Sequence, residues 1–158
     1  MSSSDIRVVQ LEPLRLATLV GTGLTPELNG WQMLLRWAQE HGCLDAKPAP
    51  RFFGYDVWRA KDAHDYRVLM TVSENCCRDS QIDVITLPGG IYAVHRVHGT
   101  RSIPGAWQQL DDWLNDSSYQ LGQHQWLEEH IRFIDLPEQD FLLDLYLPLT
   151  PVAQPASG

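Results

Sequence analysis

The segment Trp126-Leu127-Glu128-Glu129-His130-Ile131 sets two adjacent carboxylates and an imidazole inside a run that reads as a strand. Side chains alternate along a strand, so Glu128 and His130 share one face and Glu129 takes the other. If this strand is central and one face is covered by helices, one of the two carboxylates is partly buried. Such a group either protonates or finds a cation. If the segment is a strand end or edge, both glutamates are wet, as most are. Other groups offer less chemistry. His95 and His98 stand three apart on a strand, hence on opposite faces, which argues against a shared metal ion. His124 and His130 flank Glu128. Gly89-Gly90 precedes a strand rather than a helix and reads as a turn, not a phosphate cradle. Cys43, Cys76 and Cys77 are an odd number without metal-ligand spacing. The simple reading is a reduced cytosolic protein in which Cys76 and Cys77 are small loop residues. No metal and no cofactor is expected.

The elements that must position these groups come from an internal repeat. Shifted by 76 residues, the chain matches itself without a gap: Ile6 on Ile82, Val8 on Val84, Leu11 on Leu87, Ala17 on Ala93, Gly23 on Gly99 and Leu69 on Leu145. Trp31 falls on Trp107 and Trp37 on Trp113, two matches of a rare residue with the same internal spacing. Each half reads as strand-helix-strand-strand. The first has a kinked strand from Ile6 to Val20 broken at Glu12-Pro13, a helix over 26–41 and strands Arg51–Trp58 and Tyr66–Val72. The second has Ile82 to Val97 broken at Pro88-Gly89-Gly90, a helix over 103–116 and strands Gln125–Ile134 and Phe141–Leu149. Thr25 caps the first helix ahead of Pro26, and Leu28, Trp31, Leu34, Leu35 and Ala38 form its apolar face. Trp107, Leu110, Trp113 and Leu114 do so in the second. Leu143, Leu145, Leu147 and Leu149 alternate with Asp144 and Tyr146, the pattern of a half-buried strand. The expected fold class is α+β: a duplicated strand-helix-strand-strand with pseudo-twofold symmetry, and one antiparallel sheet of about eight strands carrying two main helices. Neither half, about 5–75 or 81–150, would bury a large core alone. The whole is read as one domain over 1–150, with 151–158 a frayed tail.

Composition bounds the function. The chain has 158 residues, 44% of them apolar and 20% charged, with a net charge of −8. That balance makes the chain a poor non-specific binder of nucleic acid, which needs basic surface. No run approaches the roughly 20 apolar residues of a membrane span. Met1 to Asp5 shows no secretory leader, so a cytoplasmic location is expected.

The repeat singles out Glu128. It falls on Phe52, and Glu129 on Phe53, so a carboxylate replaces an aromatic at an otherwise matched position. Six Trp, five Tyr and four Phe are available around it. Trp31 and Trp107 either pack helix on sheet or wall a cleft near the pseudo-twofold axis. Aromatic walls with one carboxylate hold organic cations through cation–π attraction and counter-charge.

The chain resembles the GyrI-like family, which includes the effector-binding domains of AraC-type and MerR-type multidrug transcription regulators and stand-alone proteins. The matching residues are Leu87-Pro88-Gly89-Gly90-Ile91-Tyr92-Ala93-Val94, Gly99, Trp107-Gln108-Gln109-Leu110-Asp111-Asp112-Trp113-Leu114, Ser118-Tyr119, Leu127-Glu128 and Asp144-Leu145-Tyr146-Leu147-Pro148-Leu149. The resemblance implies the duplicated fold, a central ligand cleft, and a glutamate at Glu128 that meets cationic ligands. Trp31, Trp107, Phe52, Tyr92 and Tyr146 are the expected walls. The family often shows aromatic-Glu-x-Tyr where this chain has Leu127-Glu128-Glu129-His130, and His130 would make binding pH-dependent. The expected function is a stand-alone domain that senses or sequesters amphipathic or cationic small molecules. With no DNA-binding segment ahead of it, no direct nucleic-acid contact is expected, nor any membrane contact. A homodimer and a protein partner, gyrase or a regulator, are further expectations. The alternatives are a hydrolase of reactive toxic compounds that uses Glu128 as general base, and a gyrase-modulating interaction module.

Overall fold

The break at Glu12-Pro13 divides the first apolar stretch into β1 (Arg7–Leu11) and β2 (Leu14–Gly21). In this computed structural model, which describes residues 5–60, 63–76 and 80–151, there follow α1 (Pro26–Glu40), β3 (Phe52–Ala60), β4 (Ala63–Thr71), β5 (Asp83–Leu87) and β6 (Gly90–His98). The chain then forms α2 (Ile103–Asn115), β7 (Tyr119–Leu121), β8 (Leu127–Arg132) and β9 (Leu142–Pro151). Cys77 and, apart from Pro151, the tail expected to fray lie outside the described residues. The fold is α+β with antiparallel strands and two main helices, as the sequence predicts. Among the described strands, the sequence reading omits only the short β7. Among the described residues no helix is long and apolar enough to cross a membrane.

The chain forms two compact units. The α1 unit comprises Pro13–Pro88 with Glu128–His130, and its strands run in the order β8-β3-β4-β2-β5. The α2 unit comprises the chain up to Glu12, Gly89–Leu127 and the chain from Ile131 onward. There β6 lies between β1 and β9, and β7 adds to β9. The units are not the two sequence repeats. β1, from the first repeat, pairs with β6, while β5, from the second, pairs with β2.

The repeat is nonetheless visible in the pairing. Phe53 of β3 lies directly opposite Glu129 of β8, its own counterpart at the offset of 76. Ala17 pairs with Met70, whereas Ala93, its counterpart, pairs with Leu147 rather than Tyr146. The register that needs no gap in sequence therefore slips by one residue in the closing strands.

Helix α1 packs on β2 and β4. It buries Pro26, Gly30, Trp31, Leu34, Trp37 and Ala38, and Leu28 is 55% exposed. The apolar face inferred from spacing thus included Leu28 wrongly and missed Trp37. A Cβ at Gly30 would lie 3.0 Å from the Val68 side chain, so the helix touches the sheet at this residue. That contact fixes the rotational phase and turns position 28, two residues away, to the far side. Thr25 precedes α1 as expected, but its hydroxyl makes no capping bond to the helix backbone.

In the α2 unit, Ala106 and Leu110 pack with Ile6, Ala93, Val97, Leu145, Leu147 and Leu149, and Trp107, Trp113 and Leu114 lean on this cluster. Strand β9 departs from the half-buried pattern, since every residue from Leu142 to Leu149 is buried. Asp144 made the strand look amphipathic. It is 2% exposed and accepts hydrogen bonds from Arg7 and Arg96 at 2.9–3.1 Å. Two arginines let a carboxylate sit on a covered face.

Candidate functional site

Strand β8 sends its neighbouring glutamates to opposite faces, each into a different setting. Glu129 is 6% exposed and is held by Arg51, whose Nε and Nη2 donate to its two oxygens at 2.9 and 3.0 Å. The same guanidinium lies 5.0 Å from the ring centroid of Phe53. This is a closed structural ion pair, so Glu129 is no inert reference for its neighbour. Among the described residues no arginine bonds Glu128. Its Oε1 accepts the Tyr66 hydroxyl proton at 2.6 Å. The Tyr66 oxygen also lies 3.1 Å from His130 Nε2. A phenol has one proton, so with that proton directed at Glu128, His130 Nε2–H donates to the Tyr66 oxygen. A chain of hydrogen bonds then runs from His130 through Tyr66 to the carboxylate.

Gly54 makes this arrangement fit. It pairs with Glu128 across β3 and β8, and a Cβ there would come within 2.3 Å of the Tyr66 hydroxyl. The ring of Tyr66, 2% exposed, occupies the space a side chain would fill. Gly54→Ala is therefore expected to cost about 1–3 kcal/mol by overpacking and to displace the hydroxyl from Glu128. Urea unfolding measures the first effect, and a changed near-UV circular dichroism signal of tyrosine the second. Tyr66 was not singled out from sequence, but a lone glycine in the aromatic run Phe52-Phe53-Gly54-Tyr55 does signal a close approach.

Aromatic rings complete the face. Trp31 of α1 meets His130 edge-on at 4.8 Å and Phe52 at 6.1 Å. Glu128, His130, Trp31 and Phe52, four residues expected at the site, thus gather in the α1 unit with Tyr66. The other three expected walls lie in the α2 unit. There Tyr92 packs edge-on to Tyr146 at 5.4 Å and donates its hydroxyl to the Gln125 carbonyl, and Trp107 tilts against Trp126 at 5.3 Å. His95 is buried and His98 exposed, the opposite faces expected of them.

Burial pushes the Glu128 carboxyl up to about 7. The Tyr66 hydrogen bond opposes that rise, while the charges of Asp56 and Glu27 add to it and His64 offsets them. Burial lowers His130 to about 3, so its imidazole is neutral throughout the physiological range. Of the two groups, Glu128 rather than His130 titrates near neutrality, because an imidazole with no water around it cannot hold a charge. Tyr66 is raised well above its ordinary value by burial and by Glu128, and it stays a hydrogen-bond donor. Toward solvent on the same side stand Glu27, Asp56 and His64, none of which the sequence reading named. His64 Nε2 lies 2.8 Å from Glu27 and 3.4 Å from Asp56. The hydrogen bond to Glu27 raises His64, and burial raises Asp56.

The solved structures similar to this one share its fold at low identity. A protein from Listeria innocua described as a hydrolase matches with a TM-score of 0.71 at 10% identity, covering 95% of this chain and 94% of that one. The EcmrR C-terminal domain matches with a TM-score of 0.69 at 14% identity over 93% and 98% of the two chains. SAV2435, solved with tetraphenylphosphonium bound, matches with a TM-score of 0.55 at 15% identity over 92% and 93%. No curated protein is significantly similar in sequence. The model of the GyrI-like small molecule binding domain matches residues 4–150, which is nearly the whole chain, and the protein belongs to that family.

Proposed function

We propose that this domain binds an amphipathic organic cation in the α1 unit, for sensing or sequestration, with Glu128 as counter-charge and Trp31 and Phe52 as aromatic walls. The observation that carries this reading is a partly buried carboxylate with no basic partner at hydrogen-bond distance among the described residues, bonded instead to a neutral phenol. In the empty site the carboxyl holds its proton up to about pH 7. An arriving cation supplies the missing charge, and the proton leaves. His130 stays neutral and does not repel the ligand, and the exposed carboxylates of Glu27 and Asp56 favour its approach. The bound tetraphenylphosphonium of SAV2435 supports the choice of ligand class.

The test compares tetraphenylphosphonium with triphenylphosphine oxide, an uncharged relative with similar rings, by Trp fluorescence and calorimetry. The cation is expected to bind at least about tenfold more tightly, in line with a counter-charge contribution of about 1–3 kcal/mol. Equal affinities would remove the role given to Glu128.

A second reading has one specific observation in its favour. A carboxylate that titrates near neutrality suits a general base, and Glu128 could activate water against a reactive electrophile. The Listeria innocua neighbour described as a hydrolase fits that reading. It requires multiple turnovers of a substrate, abolished in Glu128→Gln, where the binding reading requires only stoichiometric complex formation.

A further inference from the structure

Glu27, Asp56 and His64 offer one donor atom each, and the three atoms lie within 4.8 Å of one another. They come from three elements whose mutual positions are fixed independently of the cluster. Glu27 lies in the first turn of α1, next to buried Pro26. Asp56 pairs with Tyr66 across β3 and β4, and Trp58 with His64, so both donors stand on one side of a two-strand ladder. His64 Nε2 is 2.8 Å from Glu27 Oε1 and 3.4 Å from Asp56 Oδ1. Atoms bound at about 2.0–2.2 Å to a tetrahedral ion are about 3.3–3.6 Å apart; the His64–Asp56 separation already matches, and the shorter His64–Glu27 separation must open as the exposed Glu27 adjusts. Two carboxylates and a neutral imidazole carry the charge that balances a divalent cation. Imidazole mixed with carboxylate suits zinc or cobalt better than calcium or magnesium, which favour oxygen-only sets.

We propose that Glu27, Asp56 and His64 form a binding site for a divalent transition-metal ion of the Zn2+ type. Three protein ligands leave a coordination position open to solvent. Asp56 is two residues along β3 from Gly54, the residue opposite Glu128. The ion would therefore stand on the same face as Glu128, about 7 Å farther along the strand. None of its ligands is Glu128, Tyr66 or His130, so the inference is tested without the organic cation; it shares with that reading only the carboxylates of Glu27 and Asp56, whose attraction for an organic cation a bound metal ion would offset.

Calorimetry of the tag-free protein with ZnCl2, and titration with CoCl2 followed by absorption, test it. Saturable binding at one ion per chain is expected. The Co2+ spectrum should lack thiolate charge-transfer bands, which separates this site from the cysteines. His64→Ala and Asp56→Asn should each weaken binding by at least about tenfold, as losses at metal sites do. Both should leave far-UV circular dichroism unchanged, since these side chains lie at the surface. The ring of Trp58 is 5.1 Å from that of His64, so Co2+ should quench Trp emission in the parent and quench much less in Trp58→Phe. No saturable heat up to millimolar ZnCl2 would overturn the proposal. So would thiolate bands with Co2+, or affinity unchanged in both His64→Ala and Asp56→Asn.

Discussion

Glu128→Gln weakens binding of tetraphenylphosphonium about ten- to hundredfold, the loss of about 1–3 kcal/mol expected when a counter-charge is removed from a partly dry site. Gln keeps the shape and can still accept the Tyr66 hydroxyl, so the walls and the hydrogen-bond chain remain. Triphenylphosphine oxide should lose little. The reference variant is Glu40→Gln, an exposed carboxylate in the last turn of α1. Glu129 cannot serve, because it holds Arg51. Stability moves the other way. The folded carboxyl titrates near 7 and the unfolded one near its ordinary value of 4.5, so folding takes up a proton between those limits. Stability therefore falls as pH rises from about 4.5 to about 7, and the full penalty is present above that. Gln removes the penalty, so the variant should be more stable than the parent at pH 8 by about 1–3 kcal/mol and nearly equal to it at pH 4.5.

Arg51→Ala should destabilise the protein by about 2–4 kcal/mol at neutral pH. It strips two charge-assisted hydrogen bonds from a carboxylate whose side chain is 8% exposed, and it removes the guanidinium from the ring of Phe53. The pair sits where the repeat folds onto itself, with Phe53 opposite Glu129. Urea unfolding of the variant, together with Glu129→Gln and the double variant, gives the coupling directly. If the two single losses simply add, the pair contributes no interaction energy and this account of Glu129 fails. Ligand binding is a useful companion measurement. At a temperature where Arg51→Ala remains folded, its affinity for tetraphenylphosphonium should be close to the parent's, since Glu129 and Glu128 face apart.

The repeat, the two helices and most strands were legible because apolar spacing and Pro or Gly breaks record local geometry. Position 128 was legible because the repeat exposed a carboxylate where an aromatic belonged. The rest depended on partners distant in sequence. Asp144 reads as an exposed residue until Arg7 and Arg96 are brought to it. His130 reads as a switch until its burial is seen. Tyr66, 62 residues from Glu128, becomes its hydrogen-bond donor only through the β3–β4 and β3–β8 pairings and the space left by Gly54. Trp37 and Leu28 exchanged expected places because the Gly30 contact, rather than the helix's own apolar pattern, sets how α1 rests on the sheet.

The affinity of tetraphenylphosphonium at pH 6 and at pH 8 tests the central claim most directly, because the ligand's charge does not change with pH. With the Glu128 carboxyl near 7, about a tenth of the empty protein is ionised at the lower pH and about nine-tenths at the higher. If the cation binds the ionised form, the parent should bind about tenfold more tightly at pH 8. His64, raised by its hydrogen bond to Glu27, is retained in Glu128→Gln, so that variant isolates its share. The account predicts a rise of about tenfold in the parent and a nearly flat profile in Glu128→Gln. Equal pH dependence in the two proteins would contradict it.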